Sequence, residues 1–148
     1  MQAVILAAGK STRTYPLTLT RPKPMLKVAN KTLLEHNLDN LNGIVDEVII
    51  IVGYKKNLIK KHIGSKYKNM KIKYVVQKQQ LGTAHAVSLV EPYIKDRFIL
   101  LMGDDIYSRE DIRNCIKHRY SILATKAKNQ SNARSLLSNF GVVLEKNG

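Results

Sequence analysis

The chain has 148 residues, 44% of them hydrophobic, and sets 25 Lys and Arg against 11 Asp and Glu for a formal net charge of +14. That length and apolar share suit one domain with a real core, and no apolar run approaches the ~20 residues a membrane span needs. The start, "MQAVILAAGKSTR", places its charges after its apolar residues, the reverse of a secretory signal, and the lone Cys115 argues against a disulfide framework and for a reducing cytoplasm.

"QAVIL" (2–6) predicts the first strand, and it runs into "LAAGKSTR" (6–13), whose tail has the look of a P-loop. A P-loop needs Gly-x-x-x-x-Gly-Lys and then Ser or Thr. Counting back from Gly9 lands on Val4, inside the strand, and Tyr15-Pro16 interrupts where a helix should follow. The phosphate chemistry survives without that motif. Ala7, Ala8 and Gly9 put small residues where a ligand could touch the backbone, and the successive amides from Gly9 to Arg13 could form an anion-binding nest. In "TRPKPMLK", Pro24 disfavours the α region for Lys23 and predicts a stiff extended segment.

Thr32 and Glu35 form a capping-box pattern ahead of Leu34, Leu38 and Leu41, with Asn42-Gly43 as the stop. "EVIIIV" (47–52) predicts the second strand. A short helix is expected with Asn57 as its cap, Leu58, Ile59 and Ile63 inward, and Gly64 at its end. "IKYVV" (72–76) predicts the third strand, followed by a helix capped by Thr83 with Val87, Val90 and Ile94 inward. "RFILLM" (97–102) predicts the fourth, and Ser108 opens a helix that buries Ile112, Cys115 and Ile116. "SILAT" (121–125) reads as a fifth strand, 126–139 as a polar loop, and "FGVVLEKNG" (140–148) as a further strand and turn. The chain ends on that unfinished hairpin, which predicts a domain incomplete at its C-terminus.

Strands this continuously apolar are buried on both faces, as in parallel sheets. The alternation with helices predicts a doubly wound, mainly parallel α/β sheet flanked by helices, in strand order 3-2-1-4 with further C-terminal strands. In such sheets the ligand crevice lies at the C-terminal strand ends, where the winding reverses. That order sets "AAGKSTR" against "MGDDIY" across one crevice. A carboxylate facing a phosphate cradle makes sense through a divalent cation, and Asp104 is the favoured Mg²⁺ ligand over Asp105.

In their order and spacing, "LAAGKSTRTYPLTLTRPKPML", "QKQQLGTAHAV" and "LLMGDD" resemble the sugar-1-phosphate nucleotidyltransferases over most of residues 1–107. The resemblance implies a Rossmann-like domain across 1–148 that joins a sugar 1-phosphate to UTP or dTTP, releasing pyrophosphate and an NDP-sugar with Mg²⁺ as cofactor. It further implies that Leu6, Ala7, Ala8, Gly9, Lys10, Ser11, Thr12 and Arg13 hold the nucleotide, with Arg13 and Lys23 catalytic at the α-phosphorus. Gln77, Gly82 and Thr83 would contact the nucleoside, Asp104 the metal, and Gly141 the sugar. Ser11 stands where the family usually has glycine. Its catalytic domain is typically longer, so residues 1–148 alone are expected to hold the nucleotide half of the site and turn over poorly.

The lysines offer two other readings. Residues 48–90 contain nine lysines and no acid, which could mark a nucleic-acid surface, but exposed aromatic platforms and recognition motifs are lacking. A solvated lysine face is the better reading of 55–73. A catalytically idle nucleotide-binding homologue is the remaining alternative, and assembly into a homo-oligomer is left open.

Overall fold

The computed structural model describes residues 1–124. Its strands and helices, in chain order, are β1 (Gln2–Ala7), β2 (Lys27–Val28), β3 (Lys31–Thr32), α1 (Leu33–Leu41), β4 (Glu47–Val52), α2 (Lys56–Ile63), β5 (Lys66–Tyr67), β6 (Met70–Val76), α3 (Thr83–Ser88), β7 (Phe98–Met102) and α4 (Arg109–Cys115). Short 3₁₀ turns lie at Thr12–Thr14, Lys23–Met25 and Glu91–Tyr93. The main sheet runs β5-β6-β4-β1-β7, with β2 and β3 forming a separate antiparallel pair. All three pairings among β6, β4, β1 and β7 are parallel, so the four long strands stand in the order 3-2-1-4 that the sequence predicts.

Both faces of the central strands are covered. Ala3, Ile5 and Ala7 of β1 and Val48, Ile50 and Val52 of β4 pack with Leu34, Leu38, Leu41, Ile59, Ile63 and Ile112. The alternate residues Val4, Ile49 and Ile51 meet Ala86 and Val90 on the other side. Two-sided burial is why these strands read as unbroken apolar runs instead of alternating ones.

The α1 capping box forms as expected: Thr32 Oγ1 accepts from the Glu35 amide at 3.1 Å, and the Glu35 carboxylate accepts from the Thr32 amide at 2.7 Å. Other local expectations need correction. α2 begins one residue before Asn57, its cap being Lys55 in left-handed conformation, and Leu58 is exposed. The Lys56 amide donates to Gly53 O, and that turn starts the helix early. Gly82, at φ +97, takes the cap position of α3 and leaves Thr83 as the first helical residue. Val90 is buried but Val87 and Ile94 only half so, because α3 stops at Ser88. Ile112 is buried; Cys115 and Ile116 at the end of α4 are half-buried. Residues 121–124 of the expected fifth strand form no strand pairing among the described residues and are exposed. The 126–139 loop and the 140–148 strand lie outside the described residues.

Asp39 of α1 ties three segments together. Its carboxylate accepts from Lys31 Nζ at 2.6 Å, Lys68 Nζ at 2.5 Å and Tyr67 Oη at 3.1 Å. Burial pushes this carboxyl up, but the hydrogen bonds from Lys31, Lys68 and Tyr67 outweigh it and hold the pKa at about 2. A folded-state pKa below the unfolded one contributes stability above the unfolded value, and that stability is lost as pH falls through the folded one. The loss attributable to Asp39 should therefore fall between about pH 4 and 2. Urea midpoints compared against pH for the native chain and Asp39→Asn should converge across that window; parallel curves would remove Asp39 from the acid response.

Candidate functional site

A cleft of about 340 Å³ opens at the C-terminal ends of β1 and β7, lined by Leu6, Ala7, Ala8 and Gly9, with Gln77, Gly82 and Thr83 on one side and Pro24, Met102 and Asp104 on the other. Ser11 also lines it. The crevice predicted from the strand order is therefore present, at the switch between β1 and β7.

Its floor is the end of β1. The amides from Gly9 to Arg13 donate to no protein acceptor among the described residues, which leaves a run of free N–H groups of the kind that binds anions. The loop is nonetheless held. Ser11 O accepts from the Thr14 amide at 3.1 Å, from Thr14 Oγ1 at 2.7 Å and from the buried Thr18 Oγ1 at 2.9 Å. Tyr54 Oη donates to Thr18 O and Leu19 O, pinning the far side. Ser11 itself sits at φ 52, ψ 48. That left-handed conformation is one that glycine adopts at less cost than serine.

The opposite wall depends on Gly103. A Cβ there would meet Leu6 O at 2.7 Å, Ile5 Cγ2 at 3.3 Å and Pro24 Cγ at 3.3 Å. Only glycine lets β7 end this close to β1, with its amide donating to Leu6 O at 2.9 Å. Asp104 consequently faces Lys23, whose Nζ donates to Asp104 Oδ2 at 2.9 Å. Lys23 is not on an extended segment as its proline neighbour predicts. It opens the Lys23–Met25 turn, closed by bonds from the Met25 amide to Pro22 O and from the Leu26 amide to Lys23 O. Proline is at home in a first helical turn because its missing N–H has no partner there. The lysine is fixed all the same.

The structure thus brings Leu6–Gly9, Ser11, Gln77, Gly82, Thr83, Lys23 and Asp104 together. Lys10, Thr12 and Arg13 are exposed and outside the lining, and Arg13 makes no side-chain bond among the described residues. Gly141 lies outside the described residues. No group of three His, Cys, Asp or Glu gathers among the described residues, and none of their helices is long and apolar enough to cross a membrane.

Two kinds of residue escape the sequence reading. Gln80 Nε2 donates to Ala8 O at 2.7 Å and tethers the loop before α3 to the cleft floor. Asn37, fully buried in a leucine face, donates to Asp105 O at 2.8 Å and accepts from the Tyr107 amide, while Asn40 donates to Tyr107 O. These two asparagines anchor the loop that carries Asp104. A buried amide interrupting an apolar helix stripe was the available signal, since such groups are almost always bonded.

Comparison with known proteins follows the same lines. The nucleotidyl transferase family model matches residues 2–147. The bifunctional protein GlmU of Methanococcus vannielii is 40% identical over 143 residues, which is 97% of this chain and 32% of that protein. UTP–glucose-1-phosphate uridylyltransferase AglF of Haloferax volcanii is 43% identical over 109 residues, 73% of this chain and 45% of that protein. A crystal structure of a candidate glucose-1-phosphate thymidylyltransferase from Bacillus anthracis superposes with a TM-score of 0.71 at 26% identity, covering 80% of this chain and 52% of that one. The chain spans from about a third to about half of the length of these relatives.

Proposed function

The chain belongs to the nucleotidyl transferase family, and from that premise we propose that it carries the nucleotide half of a sugar-1-phosphate nucleotidyltransferase using UTP or dTTP. An oxygen of the sugar 1-phosphate attacks the α-phosphorus, the bond from that phosphorus to the bridging oxygen breaks, and pyrophosphate leaves with the electron pair. Two anions meet and negative charge builds on the leaving group, so catalysis rests on positioning and electrostatic stabilisation with no covalent nucleophile.

The observation that carries this reading is the Lys23–Asp104 pair, set at 2.9 Å on one wall of a cleft whose floor runs from the end of β1 into Gly9 and Ser11. The amides of Gly9–Arg13 bind the triphosphate, with Lys10, Ser11 and Thr12 along its path. Lys23 and Arg13, the latter without a side-chain partner among the described residues, offset charge around the α-phosphate. Gln77, Gly82 and Thr83 receive the nucleoside at the other end, and Gly141 is assigned to the sugar by resemblance alone. The Asp104 carboxylate suits Mg²⁺: it lines the cleft, Lys23 bonds only one of its oxygens, and this ion is usually held by one or two carboxylates plus substrate phosphates. Bound there, Mg²⁺ would screen the phosphates against attack by a second anion.

UTP is supported by the uridylyltransferase named among the relatives and dTTP by the thymidylyltransferase-like neighbour. The test is pyrophosphate release from UTP or dTTP with glucose 1-phosphate or N-acetylglucosamine 1-phosphate, alongside calorimetric binding of each nucleotide. Saturable nucleotide binding with pyrophosphate formed only when sugar phosphate is present is the expected result. Binding of neither nucleotide would end the proposal.

A further inference from the structure

The nucleoside end of the cleft contains an oriented amide. Gln77 is 6% exposed, and its two side-chain hydrogen bonds are both made by Nε2, one to Gly82 O at 3.4 Å and the shorter to His85 Nδ1 at 3.1 Å. A carbonyl has no proton to give, so the group facing Gly82 O must be the NH₂. The same NH₂ then faces His85, whose Nδ1 must carry a lone pair. Nδ1 accepts from it in the tautomer that carries its proton on Nε2. With both amide hydrogens engaged towards α3, Oε1 is left for the cleft that Gln77 lines.

We propose that His85 is a positioning residue for base selection: by accepting from Gln77 Nε2 it holds Oε1 towards the base and makes that edge of the cleft an acceptor. This rests on the nucleotide reading given above. An acceptor at that place receives a ring N–H, such as N3–H of uracil or thymine. It rejects cytosine, whose N3 is itself an acceptor, because two lone pairs would then face each other out of reach of water. Without the imidazole the amide is held only by the longer bond to Gly82 O and can turn to suit either ring.

The measurement is the affinity ratio of UTP to CTP, by calorimetry on the full chain with Mg²⁺. His85→Leu is expected to lower that ratio at least tenfold, chiefly by improving CTP binding relative to UTP. His85→Gln, which can still offer an acceptor oxygen, is expected to retain most of it. Equal loss for both nucleotides in His85→Leu would make His85 a packing residue and overturn the inference. Should that variant fail to fold, ¹⁵N chemical shifts of the native imidazole decide: a proton on Nδ1 would overturn the inference, and a proton on Nε2 supports it. If the native chain binds neither UTP nor dTTP, the nucleotide reading fails first, on the unmodified protein, and the inference falls with it.

Discussion

Lys23→Met is expected to lower the rate of pyrophosphate release by about 10²–10³-fold, the range found when one preorganised charge contact is removed from a reaction centre. The reasoning is geometric. The ammonium is held on a closed 3₁₀ turn, 2.9 Å from Asp104 Oδ2, with its side chain 29% exposed and that of Asp104 35% exposed. A lysine so fixed meets the developing charge without reorganising. An ion pair this open contributes at most about 1 kcal/mol to stability, so the unfolding midpoint should barely move. A large fall in stability with little change in rate would reassign the pair to architecture. Asp104→Asn serves as the complement: it removes the carboxylate and should make the remaining rate insensitive to Mg²⁺ concentration.

The second large effect is on the fold. Leu38→Ala should destabilise the chain by about 2–5 kcal/mol, the usual cost of emptying a fully buried leucine site. Leu38 is 0% exposed and belongs to the larger core cluster with Leu34, Leu41, Ile50 and Ile112. It also neighbours Asn37, the residue that holds Asp105 O and the Tyr107 amide. Loosening α1 should therefore loosen the Asp104 loop as well, and UTP affinity should fall with the denaturation midpoint. A shift below about 1 kcal/mol would mean that α1 is not the packing element the burial indicates.

The basic surface finds its explanation in the same structure. Lys55, Lys56, Lys61, Lys66, Lys68, Lys71 and Lys78 are exposed, and Lys73 lies 3.6 Å from the centroid of the Tyr93 ring. Tyr74 is likewise engaged by Lys60. Of the lysines in 55–73, Lys55, Lys56, Lys61, Lys66, Lys68 and Lys71 form the exposed face the sequence suggests, while Lys60 and Lys73 are half-buried against tyrosine rings.

The sequence by itself determined the layers. Unbroken apolar runs at β1 and β4 require burial on both faces, and the helices between the strands require crossovers, which leaves few topologies; the same expectation for the outer strands is corrected, since β6 carries an exposed Lys71 and β7 leaves Leu100 and Met102 exposed. The Thr32–Glu35 box was legible because its partners are three residues apart, and Gly9 and Asp104 were legible because a sheet of this order brings their loops to one crevice. Only the tertiary structure decided who meets whom. Lys23 and Asp104 are 81 positions apart, Gln80 and Ala8 are 72 apart, and Asn37 and Asp105 are 68 apart. Helix starts at Lys56 and Thr83 likewise depended on how the preceding turn leaves its strand, at Gly53 and Gly82. Periodicity records which side of an element is apolar, but a polar group's partner is chosen by the packing of distant segments, and no local pattern encodes that choice.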